Sequence, residues 1–269
     1  MKELFVQLIA LFLIVQFIGL LTAINLVNQE VKVTIITENP EEPINAIGLF
    51  AYILVITAVI LLLIKFLPSY WIFKVIESMA LISTSFIVFA AIFTDFIGVL
   101  GAVFILFIRN KYPKSIVSKN VSSAIASSGA GALIGISLGL IPILLFIALL
   151  SVYDLIAVFK TKHMVKMAKH IVKQNLAFTF ALPTRVHVFE LGTGDLVIPL
   201  VVASSIIRFW DALLPIKILI AALVLFASLV GLIWTLEISQ KKIGRPLPAL
   251  PLQTVLMVLM LGLLWLAGI

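Results

Sequence analysis

The chain has 269 residues, 63% of them hydrophobic and only 12% charged, with a mean hydropathy of +1.27; these values lie far outside the soluble range and describe a polytopic membrane protein. Nine spans of about 20 residues would use about 180 residues and leave room for loops but not for a large soluble domain. With no cysteine, disulfides, thiolate metal sites, iron–sulfur clusters and cysteine nucleophiles are excluded, and the net charge of +7 reports membrane topology before it suggests nucleic acid.

Apolar runs between polar breaks predict spans at 4–27, 47–67, 70–92, 94–109, 121–139, 142–160, 193–209, 214–236 and 247–268. The first run is long for a signal-peptide core and no small-residue cleavage site follows it, so it is expected to stay as an anchor. The third and fourth runs divide at Thr94-Asp95. The fifth and sixth divide between Gly139 and Pro142, because proline opens a helix more readily than it continues one. Charge tests the division, since inner loops collect lysine and arginine. With the N-terminus inside, 16 of the 19 basic residues fall inside, and only Lys32, Arg208 and Lys217 fall outside. Merging either doubtful pair would reverse every later loop and spoil this bias. The expectation is an all-α protein of nine transmembrane helices, N-terminus cytoplasmic and C-terminus outside.

Along the chain, most intramembrane charges have ordinary explanations. Glu77 lies one turn from Lys74, where a local pair is expected. Asp95 and Asp211 fall at span ends, and Lys217 can snorkel. In the fifth span, Ser127, Ser128, Gly129, Gly131, Gly135 and Gly139 form a small-residue stripe that lets another helix approach closely. Residues 162–174 place Lys162, His163, Lys166, Lys169, His170 and Lys173 on one face, as in a basic amphipathic helix on the inner membrane surface.

Two acids lack such an explanation. Asp154 sits in Ser151-Val152-Tyr153-Asp154-Leu155-Ile156, and Asp195 in Gly192-Thr193-Gly194-Asp195-Leu196-Val197-Ile198-Pro199. At about 1.5 Å per residue, Asp154 lies about 9 Å from the inner end of its span and Asp195 about 5–6 Å into the next, so the two meet at one level. Each alone would cost about 2.5–3.5 kcal/mol to insert. Two carboxylates sharing a site cannot both ionise easily, so the pair holds a proton between them. One can then act as base on a water while the other donates to a scissile carbonyl oxygen, with no covalent intermediate, metal or cofactor. Gly192 and Gly194 are expected to permit unusual backbone angles and close approach beside Asp195. Pro199 has no amide to offer the carbonyl of Asp195, which loosens that turn. The run Arg245-Pro246-Leu247-Pro248-Ala249-Leu250-Pro251 precludes regular helix and reaches the same depth. A transporter with a carboxylate proton relay would also place acids beside broken helices, but no internal repeat is visible.

Tyr153-Asp154, then Gly192-Thr193-Gly194-Asp195, then Pro248-Ala249-Leu250, each on a separate late span, resembles the presenilin and signal peptide peptidase family of intramembrane aspartyl proteases of the Gly-x-Gly-Asp type. The resemblance covers the number and order of the spans. It implies hydrolysis of peptide bonds within or near membrane-spanning segments, with Asp154 and Asp195 as the catalytic pair and Pro248, Ala249 and Leu250 shaping the site. It also implies a five-span scaffold over 1–139 and a four-span catalytic part over 140–269 with an inner loop at 161–191. Thr193 departs from the usually apolar residue of the family. A compact single chain of this kind resembles archaeal homologues that act without accessory subunits. A prepilin-peptidase-like protease shares Gly-x-Gly-Asp but not Pro248-Ala249-Leu250 or nine spans. Zinc and rhomboid-type proteases need membrane histidines, whereas His163, His170 and His187 fall in the inner loop, so no metal is expected. The expected partners are transmembrane peptide substrates and the lipid bilayer, not nucleic acid.

A helical substrate must unwind to be cut, and unwound backbone in a membrane needs new hydrogen-bond partners. Arg185, Val186, His187, Val188, Phe189 and Glu190, preceded by Thr184, are rich in β-branched and aromatic types and read as a strand. The substrate is expected to add as a strand along residues 185–190, a segment that need not be ordered without it.

Overall fold

The structure, a computed structural model, describes residues 2–67, 70–160, 172, 174–184, 188–241 and 248–268. Among these residues there are nine α-helices and one β-hairpin. The helices are α1 (Lys2–Asn28), α2 (Pro43–Phe66), α3 (Tyr70–Ile92), α4 (Asp95–Lys111), α5 (Ile116–Ser137) and α6 (Leu140–Leu155), the last continued by a π-helical turn at Ile156–Lys160. The hairpin strands β1 (Thr179–Pro183) and β2 (Val188–Gly192) follow, then α7 (Gly194–Phe209), α8 (Leu214–Lys241) and α9 (Leu250–Leu266).

Each helix lies on one of the expected spans, and both doubtful divisions are real. Thr94 caps α4 by accepting from the Ile97 amide at 3.4 Å, and the Gly139 amide that precedes α6 donates to the carbonyl of Pro40 at 2.9 Å. Among the described residues five helices are long and apolar enough to cross a membrane, namely Glu3–Asn28, Pro43–Phe66, Tyr70–Ile92, Leu140–Lys160 and Leu214–Ile238. The shorter α7 has 16 residues. It can be short because protein surrounds it: Leu196 and every residue from Ile198 to Ile207 are buried, against α1, α5, α6 and α8.

The small-residue stripe of α5 is the seam that admits α7. A Cβ on Gly135 would fall 2.4 Å from the Val201 carbonyl oxygen and 2.5 Å from Ser204 Cβ, and one on Gly131 would fall 2.7 Å from a Leu200 methyl. On the neighbouring face a Cβ on Gly129 would meet the Thr84 carbonyl oxygen of α3 at 2.2 Å. Backbone-to-backbone proximity of this kind leaves no room for a side chain.

At the hairpin end of the bundle, Glu77 is fully buried and does more than pair locally with Lys74. Its Oε2 accepts from Lys74 Nζ at 2.5 Å, and its Oε1 accepts from Arg109 Nε at 2.9 Å and from the Ala177 amide at 2.6 Å. Arg109, 1% exposed, also donates to the carbonyls of Pro113 and Asn175. This cluster ties α3 and α4 to the chain entering β1.

Two expectations need adjustment. The strand expected at 184–190 is found at Val188–Gly192, already paired antiparallel with β1, so it has a partner within the chain. Arg185, Val186 and His187 lie outside the described residues, as does nearly all of the amphipathic segment 162–174. Neither Gly192 nor Gly194 takes a left-handed backbone angle. Gly194 has nothing within 4 Å of a Cβ position, and the nearest atom to that of Gly192 is Asp195 Oδ2 at 3.7 Å, so what these glycines leave beside Asp195 is open space.

Gly135→Val should destabilise the protein by about 1–3 kcal/mol or more through overpacking against immobile backbone, whereas Gly262→Ala, with nothing within 4 Å, should leave the unfolding midpoint unchanged. Thermal unfolding in detergent checks both.

Candidate active site

Asp154 lies in the last turn of α6 and is 5% exposed. Immediately after it the helix widens into the π-turn at Ile156–Lys160, a local rephasing common at functional sites. Asp195 occupies the first turn of α7 and is half-buried. The helices α6 and α7 pack on each other, and the two carboxyl groups are near enough for their charges to interact.

The third expected element arrives from α9. Ala249 is its N-cap, Leu250 opens it and Pro251 follows. The first amides of a helix have no intrahelical acceptor, and that of Leu250 faces the Asp154 carboxyl group. Pro251 costs nothing in that turn, where its missing amide would have been unpaired. Pro248 is half-buried, and Ala249 and Leu250 are each 8% exposed.

Tyr153 holds the site to α2. Its ring meets Phe50 edge to face, with centroids 6.0 Å apart and planes at 83°, and its hydroxyl is hydrogen-bonded to Thr57. Thr193 joins the hairpin to α7: its amide and its Oγ1 both donate to the carbonyl of Phe178, at 3.4 and 3.2 Å. The polar residue at this position thus fixes the strand-to-helix turn directly before Asp195.

Pro199 leaves the carbonyl of Asp195 without its helical donor. One residue on, the buried Gln16 of α1 donates from Nε2 to the Leu196 carbonyl at 2.9 Å, bracing that turn from outside. Gln16 was detectable as a lone amide within an apolar span, but its partner is 180 residues away.

Among the described residues the hairpin has one closed edge and one open edge. On the outer edge of β1, Asn120 of α5 both donates to the Ala181 carbonyl and accepts from the Ala181 amide, each at 2.8 Å. Ser123 Oγ donates to the Thr179 carbonyl at 3.2 Å, and Gln7 Nε2 of α1 donates to that of Pro183 at 3.1 Å. The main-chain groups of Ala181 therefore point away from β2. In an antiparallel pair its partner Glu190 must then point its own amide and carbonyl away from β1. Val188 and Gly192, two residues either side, share that direction. Beneath this edge, Lys119 of α5 donates to both carboxylate oxygens of Glu190, at 2.9 and 2.8 Å, and Thr179 Oγ1 donates to Glu190 Oε2 at 2.6 Å.

With that geometry in place, a model of the signal-peptide peptidase and presenilin aspartyl protease family matches residues 9–264. Two solved structures share the fold, both described as a presenilin family intramembrane aspartate protease. The one in the C222 space group is 24% identical over 96% of this chain and 97% of that chain, with a TM-score of 0.72. The one in the P2 space group is 22% identical over 93% of each chain, with a TM-score of 0.66. No curated protein matches the chain.

Proposed function

The chain belongs to the signal-peptide peptidase and presenilin family of aspartyl proteases, an integral multi-pass membrane protein family, and from that membership we propose that it hydrolyses peptide bonds within or near the membrane-spanning segments of other proteins. The observation that carries this reading is the convergence of Asp154, Asp195 and the Leu250 amide from α6, α7 and α9. The ionised member of the carboxyl pair takes a proton from a water as it attacks the scissile carbonyl carbon. The protonated member donates to the carbonyl oxygen, and the tetrahedral diol collapses with the proton passed on to the leaving amine. The Leu250 amide orients Asp154, and the space beside Gly192 and Gly194 admits the substrate main chain. No cofactor enters the scheme. The Gly-x-Gly-Asp designation rests on Gly192-Thr193-Gly194-Asp195.

Substrate would be presented as a strand. Because the Thr179, Ala181 and Pro183 carbonyls and the Ala181 amide of β1 are taken up by Ser123, Asn120 and Gln7, an unwound segment adds to β2, where Val188, Glu190 and Gly192 face the open edge. This shifts the docking segment from residues 185–190 toward 188–192 and delivers the substrate chain to Asp195, three residues beyond Gly192. A proton-relay transporter would have no use for such an edge.

The basic bias of the hairpin end supports an orientation with that end cytoplasmic, the N-terminus inside and the C-terminus outside. In the same reading residues 1–139 are the scaffold, residues 140–269 carry the catalytic groups, and the single chain acts in a prokaryotic cell membrane without accessory subunits.

Three outcomes are expected. Asp154→Ala and Asp195→Ala should each abolish cleavage of a single-span peptide by purified protein while leaving its unfolding midpoint near that of the parent; appreciable turnover by either variant would sink the assignment. A tag inserted after Gln174 should label only from inside and one after Gly268 only from outside, and the reverse labelling would invert the molecule. Val188→Pro removes an open-edge donor without touching a hairpin hydrogen bond, so cleavage should fall at least tenfold with the fold retained; parent-like rates would rule out strand addition at β2.

A further inference from the structure

Lys119 is an odd residue to find where it stands. It is the fourth residue of α5, whose N-terminus carries the positive end of the helix dipole, and it is 1% exposed. A buried ammonium facing that dipole is doubly unfavourable unless a carboxylate answers it. Glu190 does so with both oxygens, at 2.9 and 2.8 Å, and the Thr179 hydroxyl fills a further acceptor site at 2.6 Å. The helix gains nothing from this lysine, since Ser115 already caps it by accepting from the Ser118 amide. What the arrangement fixes is Glu190, the middle residue of the three whose main-chain groups face the open edge.

The neighbours on α5 act on the same hairpin. Asn120 grips Ala181, the cross-strand partner of Glu190, and Ser123 grips Thr179. A two-stranded hairpin is marginal by itself. Here one turn of α5 holds both strands at the same rung, one through backbone and the other through a buried ion pair.

We propose that Lys119 and Glu190 are positioning residues that keep β2 formed before substrate arrives, so that the pair governs substrate affinity and leaves the chemical step untouched. The proposal rests on strand addition at β2 as the mode of presentation. If only a fraction of molecules has the strand formed, the apparent dissociation constant rises by the reciprocal of that fraction. Loss of the pair therefore raises KM, while substrate once bound meets the same Asp154 and Asp195.

The test uses the purified full chain in detergent, a fluorogenic single-span peptide, and amide hydrogen exchange without peptide. Glu190→Gln and Lys119→Met should each raise KM about tenfold with kcat within about threefold of the parent, and Lys119→Arg should restore the parent KM. Exchange at Phe189 and Leu191, whose amides lie within the hairpin, should accelerate at least tenfold in the two charge-removing variants. Unchanged KM and exchange in those variants overturn the proposal, as does a fall in kcat at constant KM, the mark of a general structural defect. If Lys119→Met does not fold, Glu190→Gln, altered at a partly exposed residue, decides the matter alone. A parent that cleaves nothing but shows the expected exchange difference refutes the protease reading and leaves the role of the pair in forming β2 standing.

Discussion

Every main-chain donor and acceptor at membrane depth must find its partner inside the protein, because hydrocarbon offers none. Most of this structure can be understood as the distribution of such partners. Where a helix is locally broken, a side chain or a helix end stands ready: Gln16 serves the Leu196 carbonyl beside Pro199, and the first free amide of α9 serves Asp154. Where the chain leaves helical geometry, the outer edge of β1 is taken up by side chains from α1 and α5. Among the described residues the edge of β2 is the exception. On the proposed reading that exception is the purpose of the hairpin, since an unwound substrate brings the same unmet donors and acceptors to it.

The same constraint explains why α7 is buried so completely. A helix that carries an acid and an internal proline is a poor helix to leave in lipid, and here α1, α5, α6 and α8 enclose it. Enclosure on that scale needs close backbone approach, which the glycines of α5 permit: Gly131 and Gly135 face Leu200, Val201 and Ser204 with no space for a Cβ. The small-residue stripe and the intramembrane acid, separate features of the sequence, are thus two sides of one packing problem.

Legibility in the sequence followed contrast. Asp154, Asp195 and the proline-rich opening of α9 stand out because each breaks an apolar background, and the helices stand out because their breaks carry charge or capping residues. The partners did not. Lys119 and Asn120 look ordinary at the start of a helix, and their contacts lie 71 and 61 residues away. Glu77 showed only its neighbour Lys74, because the guanidinium of Arg109 reaches it from another helix, 32 residues on. β1 is too short and too evenly apolar to separate from a helix end. Without β1 the partner strand could be seen as β-forming but not as a hairpin, and its continuation to Gly192 was not seen. Gly192 and Gly194 suggested backbone freedom when their contribution is empty space, a distinction that composition alone does not make.

Buried charge is segregated in a way that serves the site. The three described ion pairs involve only two carboxylates: Glu77 answers Lys74 and Arg109, and Glu190 answers Lys119. None uses Asp154 or Asp195. A carboxylate held by an ammonium or guanidinium is fixed in its ionised form, and a pair so held could not pass a proton from water to a carbonyl oxygen and on to an amine. By matching the cations of these pairs with Glu77 and Glu190, the fold keeps those donors away from the two acids that, on the proposed reading, exchange protons. What Asp154 meets instead is the neutral amide of Leu250, which on the proposed reading orients its carboxyl group and leaves its charge free to change.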